Sequence, residues 1–161
     1  MIQRSFEKAL NKGEYGEQIV REYLESKGYV VYFPFTKDRA HAFDMLATLG
    51  KEKVIGLDVK SKARMNKWRK TGINQKSYNE YISFSNKANI PFYLVFVDEH
   101  PAEMSVYAGE IKAIGEPELL ETCNSTRLCL WSLDRFIRLF ALTNDMREKL
   151  IENSQRSYEY A

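Results

Sequence analysis

Apolar residues recur at helical spacing in two stretches of the chain. The first stretch covers residues 14–27, and Gly28 follows it as a stop signal. Its apolar positions are Tyr15, Ile19, Val20, Tyr23 and Leu24. In the second stretch Ser77 and Glu80 have the spacing of a capping box, and the pattern ends near Asn89. Two helices are therefore predicted, and one face of the second consists of Tyr78, Tyr81, Ile82, Ser85 and Ala88.

Short runs rich in Val, Ile, Tyr and Phe predict strands between and after these helices. The runs cover residues 29–35, 43–49, 53–60, 90–97, 104–111 and 128–131. Residues 50–52 form a turn-like linker, so the second and third runs are predicted to pair as a hairpin. The run at residues 90–97 is almost wholly apolar, which is typical of a central strand buried on both faces.

The rest of the chain has weaker patterns. Residues 61–72 are polar and basic without an apolar period, and we expect a loop in this basic segment. We predict a helical turn near Glu116 and a frayed polar end from Glu152 onward. A further helix is predicted from four apolar residues, Leu133, Phe136, Ile137 and Phe140.

The order of these elements, α-β-β-β-α-β-β, indicates an α/β fold. We expect a mixed β-sheet flanked by helices, with a C-terminal helical extension. At 161 residues the chain has the length of a single domain. We divide it into a core of about residues 12–111, an extension of about residues 112–152 and a polar tail of residues 153–161.

Composition narrows the class of protein. Hydrophobic residues make up 44% of the chain and charged residues 29%, as in a folded globular protein. Because no signal peptide or membrane-spanning run is found, we expect a soluble cytoplasmic protein without a membrane partner. Cys123 and Cys129 are too few for a disulfide framework or a four-ligand zinc site. The 24 basic and 22 acidic residues are so balanced that only local charge clusters can indicate a partner.

Asp58 and Lys60 form the first such cluster, on the strand predicted for residues 53–60. Side chains at positions i and i+2 point to the same face, so the carboxylate and the ammonium group lie side by side. A magnesium ion and an attacking water could meet them at the strand end. A solvated strand edge is the alternative, because an Asp-x-Lys sequence is common.

Two further carboxylates give this pair a context. Asp44 stands in a predicted apolar strand, where an unpaired charge is costly unless a metal ion or a basic partner neutralises it. Pairing of the hairpin would bring Asp44 close to Asp58, and two converging carboxylates suit a hard divalent cation. Glu17 precedes Val20 and Leu24 on the apolar side of the first helix, so it could reach the same point. The alternative for Glu17 is a half-exposed helix glutamate.

These residues belong to a recognisable pattern. The sequence resembles the archaeal-type Holliday-junction resolvases, which are members of the PD-(D/E)XK nuclease superfamily. The motifs that carry the resemblance are Lys12-Gly13-x3-Glu17, Lys27-Gly28-Tyr29, Phe43-Asp44 and Asp58-Val59-Lys60, and they cover about residues 12–97. The sequence departs from the resolvase pattern at Asp58, where Glu is usual. It also departs in longer loops before Asp44 and after Lys60 and in the C-terminal extension.

The resemblance implies a restriction-endonuclease-like fold and hydrolysis of DNA phosphodiester bonds with Mg²⁺, for which Mn²⁺ can substitute. It implies a metal site built from Glu17, Asp44, Asp58 and the Val59 carbonyl. Lys60 would position the attacking water. Gln75 is a further catalytic candidate, because related nucleases often place a polar residue near the scissile phosphate in this region. Resolution of a branched DNA junction needs two symmetric cuts, so a resolvase is expected to be a homodimer.

The basic segment supplies candidates for DNA binding. They are Lys62, Arg64, Lys67, Trp68, Arg69 and Lys70. The cationic side chains could hold phosphates, and the Trp68 indole could stack on a base or wedge into a junction. Arg39, in a polar loop before Asp44, is another candidate. A solvated charged segment and an ordinary surface loop are the respective alternatives.

Other functions stay open on the sequence. A nuclease of the same fold could act on duplex, flapped or damaged DNA in repair, restriction or mobile-element functions. A catalytically inactive module could bind DNA without cutting it, and a structural or protein-interaction domain would do neither. The sequence has no Gly-rich phosphate loop, Ser-His-Asp arrangement or helical zinc motif. We therefore expect no nucleotide cofactor.

Overall fold

The computed structural model describes residues 2–34, 43–65, 67–123 and 125–153, with side chains described from residue 11 onward. Within these residues the helices are α1 (Ile2–Ser26), α2 (Gln75–Ala88) and α3 (Asn144–Glu152). The strands are β1 (Val30–Tyr32), β2 (Met45–Leu49), β3 (Lys53–Ser61), β4 (Lys70–Asn74), β5 (Phe92–Asp98), β6 (Ser105–Glu110), β7 (Leu119–Cys123), β8 (Thr126–Ser132) and β9 (Ile137–Ala141). A 3-10 helix covers Leu133–Arg135.

A six-stranded mixed sheet forms the centre of the molecule, with the strand order β1-β2-β3-β5-β6-β9. The β3 and β5 strands are parallel, and the other neighbours are antiparallel. The predicted hairpin of β2 and β3 is confirmed, with Met45 opposite Leu57 and Gly50 in the left-handed conformation at the turn. This hairpin places the segment just before β2 beside the second half of β3, where Asp58 and Lys60 lie.

The main sheet carries a hydrophobic cluster on each face. The first cluster joins α1 and α3 to the sheet through residues such as Val20, Leu57, Val59 and Leu150. The second contains Tyr81 of α2 together with Phe92, Phe96 and Trp131. Because side chains alternate along a strand, Asp58 lies on the α2 face when Leu57 and Val59 face α1. The predicted mixed sheet flanked by helices is confirmed.

Two helix ends differ from the prediction. The α1 helix begins at Ile2 rather than near residue 14, because extending a nucleated helix costs far less than starting one. Asn74, not Ser77, caps α2, and its side chain accepts a 2.7 Å hydrogen bond from the Ser77 backbone N–H. The predicted end at Asn89 is confirmed by its left-handed conformation. None of the described helices is long and apolar enough to span a membrane.

The basic segment ends in a strand, so the prediction of a loop through Gly72 was wrong at its C-terminal side. Residues 70–74 form β4, which pairs with β8 in a second sheet of order β4-β8-β7. A Cβ atom at Gly72 would lie 1.9 Å from the Cys129 carbonyl oxygen, so only glycine fits this close pairing. The partner strand is distant in sequence, and local periodicity therefore could not reveal it.

The C-terminal extension is mainly strand, so its prediction as a helical extension was wrong except at α3. No helix forms near Glu116, and β7 follows it in the described chain. The predicted helix over residues 133–140 is replaced by the 3-10 helix and β9, which pairs with β6. Edge pairing satisfies the backbone there and leaves Ile137 73% exposed. Arg39 and the predicted tail at residues 154–161 lie outside the described residues.

Candidate active site

The acid-x-lysine pair forms the centre of the site. The Lys60 Nζ atom lies 2.9 Å from Asp58 Oδ1 and 2.8 Å from Oδ2. The Asp58 side chain is 2% exposed, whereas that of Lys60 is 37% exposed. Lys60 therefore reaches from the molecular surface to a buried carboxylate. As the sequence predicts, the two side chains lie on the same face of β3.

Asp44 is tied to the backbone between these two residues. Its Oδ2 atom accepts a 2.7 Å hydrogen bond from the Val59 N–H, and its own N–H donates to the Leu57 carbonyl. Asp44 lies directly before β2, not inside the strand as predicted, and it is half-buried. The structure thus brings Asp44 and Asp58 together through the hairpin.

Glu17 joins the group from α1. Partial burial raises the pKa of Glu17 to about 7, and the nearby Asp44 carboxylate adds to this rise, while Lys60 opposes it. This part of α1 lies very close to β3, since a Cβ atom on Gly16 would be only 1.7 Å from Ser61 Oγ. The acids Glu17, Asp44 and Asp58, here called the acid cluster, therefore share one electrostatic environment with Lys60.

Burial dominates the electrostatics of Asp58. It raises the pKa of this carboxyl to about 6, against the lowering effect of Lys60, and Asp44 raises it further. When all three acids are ionised, the cluster carries three negative charges, and Lys60 is the cation beside it among the residues that the structure describes. A divalent cation would relieve this excess of negative charge.

Tyr81 is a site residue that the sequence did not identify. The sequence places it only on the apolar face of the second helix. In the structure it is buried, stacks on Phe92 with 4.6 Å between ring centroids, and makes a hydrogen bond that lowers the pKa of Asp58. Burial and the adjacent Asp58 charge raise the pKa of the Tyr81 hydroxyl, so it stays a proton donor. A tyrosine on the sheet-facing side of a helix was the only available signal.

The donor set of the acid cluster fits a hard divalent ion by its chemistry. Carboxylate oxygens are the ligands preferred by Mg²⁺, and burial, the main cause of the raised pKa values of Glu17 and Asp58, makes their ionised forms costly without a cation. Among the described residues, no three His, Cys, Asp or Glu side chains already converge as a metal-binding group. In the structure Asp44 instead accepts the Val59 N–H and Asp58 pairs with Lys60.

Gln75 lines a surface cleft whose lining residues do not include the acid cluster. It is the first residue of α2 and lines a polar cleft of about 610 Å³ together with Asn79 and Arg127. Tyr81, six residues further along the same helix, is the side chain that reaches Asp58. A role for Gln75 beside the reacting phosphate stays a prediction.

Most cations of the basic segment already have partners. Lys62 Nζ donates to the Gly72 carbonyl, Lys70 pairs with Glu118, and Arg64 and Arg69 both approach Glu103. By contrast, Lys67 and Trp68 are exposed, and the Trp68 side chain is 47% accessible. The segment therefore divides into braced cations and an exposed tip, defined here as Lys67 and Trp68.

Comparisons with known proteins identify the architecture. No protein-family model and no curated protein matches the sequence. The chain is similar to Hjc, a Holliday junction resolvase from Archaeoglobus fulgidus, at 12% identity over 79% of this chain and 96% of Hjc, with a TM-score of 0.56. It is also similar to D212, a nuclease from a fusselovirus, at 12% identity over 90% of this chain and 92% of D212, with a TM-score of 0.52. The chain thus has the fold of an archaeal resolvase and a viral nuclease, and the predicted resemblance is confirmed in fold.

Proposed function

We propose that the protein is a metal-dependent endonuclease that hydrolyses DNA phosphodiester bonds. The observation that carries this proposal is the gathering of Glu17, Asp44, Asp58 and Lys60 from α1, the start of β2 and β3. A structural ion pair would need one acid for one lysine, whereas here Asp44 and Glu17 interact electrostatically with the Asp58–Lys60 pair. The similarity in fold to two nucleases supports the same conclusion.

The proposed metal site uses the oxygen atoms of the acid cluster and the Val59 carbonyl. Mg²⁺ is the expected ion, with Mn²⁺ as a substitute, because both accept carboxylate and carbonyl oxygens. Bound there, the ion would supply Lewis-acid stabilisation of charge on the phosphate and the leaving oxygen.

The chain's own residues perform the remaining steps. Lys60 neutralises Asp58 in the structure, and its partly exposed side chain can turn toward a phosphate, orient the attacking water and offset the developing negative charge. Tyr81 acts as a positioning residue, because its hydroxyl donates to the Asp58 carboxylate and restricts its orientation.

Branched DNA, in particular the four-way junction, is the proposed substrate. It rests on the resemblance in sequence motifs and on the similarity to Hjc, which is a Holliday junction resolvase. Two symmetric cuts across one junction require two active sites, so the active form would be a homodimer. Cellular DNA as substrate places the protein inside the cell.

A second candidate is a nuclease that acts on linear, flapped or damaged DNA in repair, restriction or mobile-element functions. The similarity to D212, a viral nuclease, favours this broader assignment. A DNA-binding module that has lost catalysis is a third candidate, against which the complete set of three acids and a lysine argues.

The proposed DNA contacts follow from the basic segment and its surroundings. Lys67 and Trp68 are the exposed members and would contact DNA directly, and Arg39 stays a candidate from the sequence. Lys62, Arg64, Arg69 and Lys70 already make intramolecular bonds, so a DNA phosphate would have to compete with a carbonyl or carboxylate for them.

The decisive experiment is cleavage of end-labelled four-way junction, flap and linear duplex DNA in Mg²⁺, Mn²⁺ or EDTA, with Asp58→Asn as the paired control. Symmetric cuts confined to the junction and lost in the variant would support a resolvase. Cuts in the other DNAs that are lost in the variant would support the broader nuclease. Binding without cleavage in any metal would identify an inactive module.

The proposed homodimer is tested by sedimentation of the protein together with the junction.

A further inference from the structure

Glu103 connects the basic segment to β6. Arg69 donates to Glu103 through Nε at 2.8 Å and through Nη2 at 3.2 Å, and the Tyr107 hydroxyl donates to Oε2 at 2.6 Å. Arg64 lies within 3.6 Å of the same carboxylate. Burial alone would raise the pKa of Glu103, but the hydrogen bonds from Arg69 and Tyr107 outweigh it and lower the pKa. Glu103 with its two arginines, here called the brace, is therefore a fully ionised and well-satisfied group.

Backbone hydrogen bonds also fix the base of the exposed tip. The Met65 N–H donates to the Lys70 carbonyl at 2.9 Å and closes the two sides of the segment. The Arg64 N–H donates to Asp98 Oδ1 at 3.1 Å, which attaches the same side to the end of β5. These hydrogen bonds hold the tip on an ordered base. Less conformational entropy is therefore lost when the tip binds a ligand than if the base were free to move.

The two tryptophans of the chain have opposite environments. Trp131 is 0% exposed in the core, and its indole N–H donates to the Gly115 carbonyl at 2.9 Å. Trp68 is 47% exposed beside the exposed Lys67. No ion pair of Lys67 is found in the described part of the chain. An accessible aromatic ring next to an ammonium group matches a ligand with a flat π-surface and a negative charge, which is the chemistry of a nucleotide.

We propose that Trp68 stacks on an unpaired or unstacked base and that Lys67 contacts the adjacent phosphate, so that the braced tip selects DNA containing a branch or another interruption of base stacking. The inference rests on the proposed nuclease function. The tip follows Lys60 by seven and eight residues, which limits its distance from Lys60 to at most about 29 Å. In continuous duplex the bases are already stacked, and access to one would require costly unstacking. Arg64 and Arg69 hold the tip, and their role is structural.

The direct test is DNA affinity of Trp68 variants in an Asp58→Asn background, measured by fluorescence anisotropy with a four-way junction and a linear duplex of the same arm sequence. We expect Trp68→Ala to weaken junction binding roughly tenfold or more and duplex binding less than about threefold, and Trp68→Phe to recover most of the loss. Leu120→Ala, at another exposed apolar residue, should change neither affinity. Lys67→Ala should weaken both and reduce the salt dependence by about one phosphate contact.

Tryptophan fluorescence gives an independent readout. Because Trp131 is buried, quenching on addition of junction DNA should come from Trp68 and should disappear in Trp68→Phe. Glu103→Ala keeps the Trp68 side chain but removes the centre of the brace, so it should reduce the preference for the junction. An unchanged preference would overturn the proposed role of the brace in positioning the tip.

The outcomes separate this inference from the proposed function. Equal losses on junction and duplex in Trp68→Ala, or no loss on either, would overturn the role of Trp68 while mutant-sensitive cleavage still stood. If the protein neither binds nor cuts any of the DNAs, the nuclease function and the inference fail together.

Discussion

Asp58 and Glu103 are both carboxylates held beside basic residues, yet their pKa values move in opposite directions. Burial raises the pKa of Asp58 to about 6, although Lys60 lies 2.8 Å away. For Glu103 the hydrogen bonds from Arg69 and Tyr107 outweigh burial, and its pKa is lowered. Asp58 has other acids as neighbours, whereas Glu103 has two arginines.

The difference distinguishes the proposed active site from a structural group of ion pairs. Within the described residues, the acid cluster has more negative charge than Lys60 neutralises, which is costly unless a cation binds. In the brace the Glu103 carboxylate lies beside two arginines, and Arg69 also pairs with Asp134, so the group contributes rigidity. The Lys12–Glu99 pair belongs to the second kind, because both side chains are buried and in direct contact.

The largest expected effect distinguishes two lysines. Lys12→Met leaves Glu99 buried without its ammonium partner and should lower the free energy of unfolding by about 3–5 kcal/mol. Lys60→Met also removes the partner of a buried carboxylate, but the Asp58 carboxyl, whose pKa burial already raises to about 6, can take up a proton, so the loss of stability should be smaller, while cleavage is strongly reduced. Urea denaturation and a cleavage assay of both variants provide the measurement. Equal losses of stability would remove the distinction between the two kinds of site.

Two buried aspartates sharpen the comparison through activity. Asp58→Asn should reduce metal-dependent cleavage by about 100- to 1,000-fold, because it removes a proposed metal ligand and the partner of Lys60. Asp98→Asn is the matched control: Asp98 is equally buried, and its Oδ1 accepts backbone N–H groups that an asparagine oxygen also accepts. The control variant should cut at nearly the wild-type rate. Loss of cleavage in both variants would indicate general destabilisation.

The approach of α1 to β3 is tested with two glycines of the same helix. Gly16→Ala places a Cβ atom 1.7 Å from Ser61 Oγ and should cost about 1–3 kcal/mol of stability. It should also reduce cleavage, because it shifts the neighbouring Glu17. At Gly13 a Cβ atom meets nothing within 4 Å, so Gly13→Ala should stabilise the helix by about 0.5–1 kcal/mol. Equal shifts of the melting temperature in both variants would contradict this packing.

Asp98 should make the stability of the protein depend on pH. Burial raises the pKa of Asp98 to about 7, although backbone N–H groups of His100 and Arg64 lower it. The folded protein then retains a proton that the unfolded chain releases near pH 4, so this group makes stability fall as pH rises toward 7. In Asp98→Asn the loss of stability between pH 5 and pH 8 should be smaller by about 1–3 kcal/mol. Identical pH dependence in urea denaturation would contradict the protonated state.

Much of the candidate site was accessible from local sequence. The two-residue spacing of Asp58 and Lys60 defines a shared strand face, and the hairpin around Gly50 predicts the approach of Asp44. Glu17 followed from the apolar face of its helix. The position of Tyr81 beside Asp58 did not follow, because it depends on how α2 packs against the sheet.

The sequence by itself predicted α2, the C-terminal half of α1, the central hairpin and the candidate site residues, because these depend on periodicity and spacing within a few residues. Only the tertiary structure decided that residues 137–141 form an edge strand and that β4 pairs with β8. It also decided that Arg64 and Arg69 meet Glu103, which lies 34 residues beyond Arg69. Strand pairing and ion pairing between distant residues are set by which surfaces become neighbours when the core closes, and a local pattern contains no record of those neighbours.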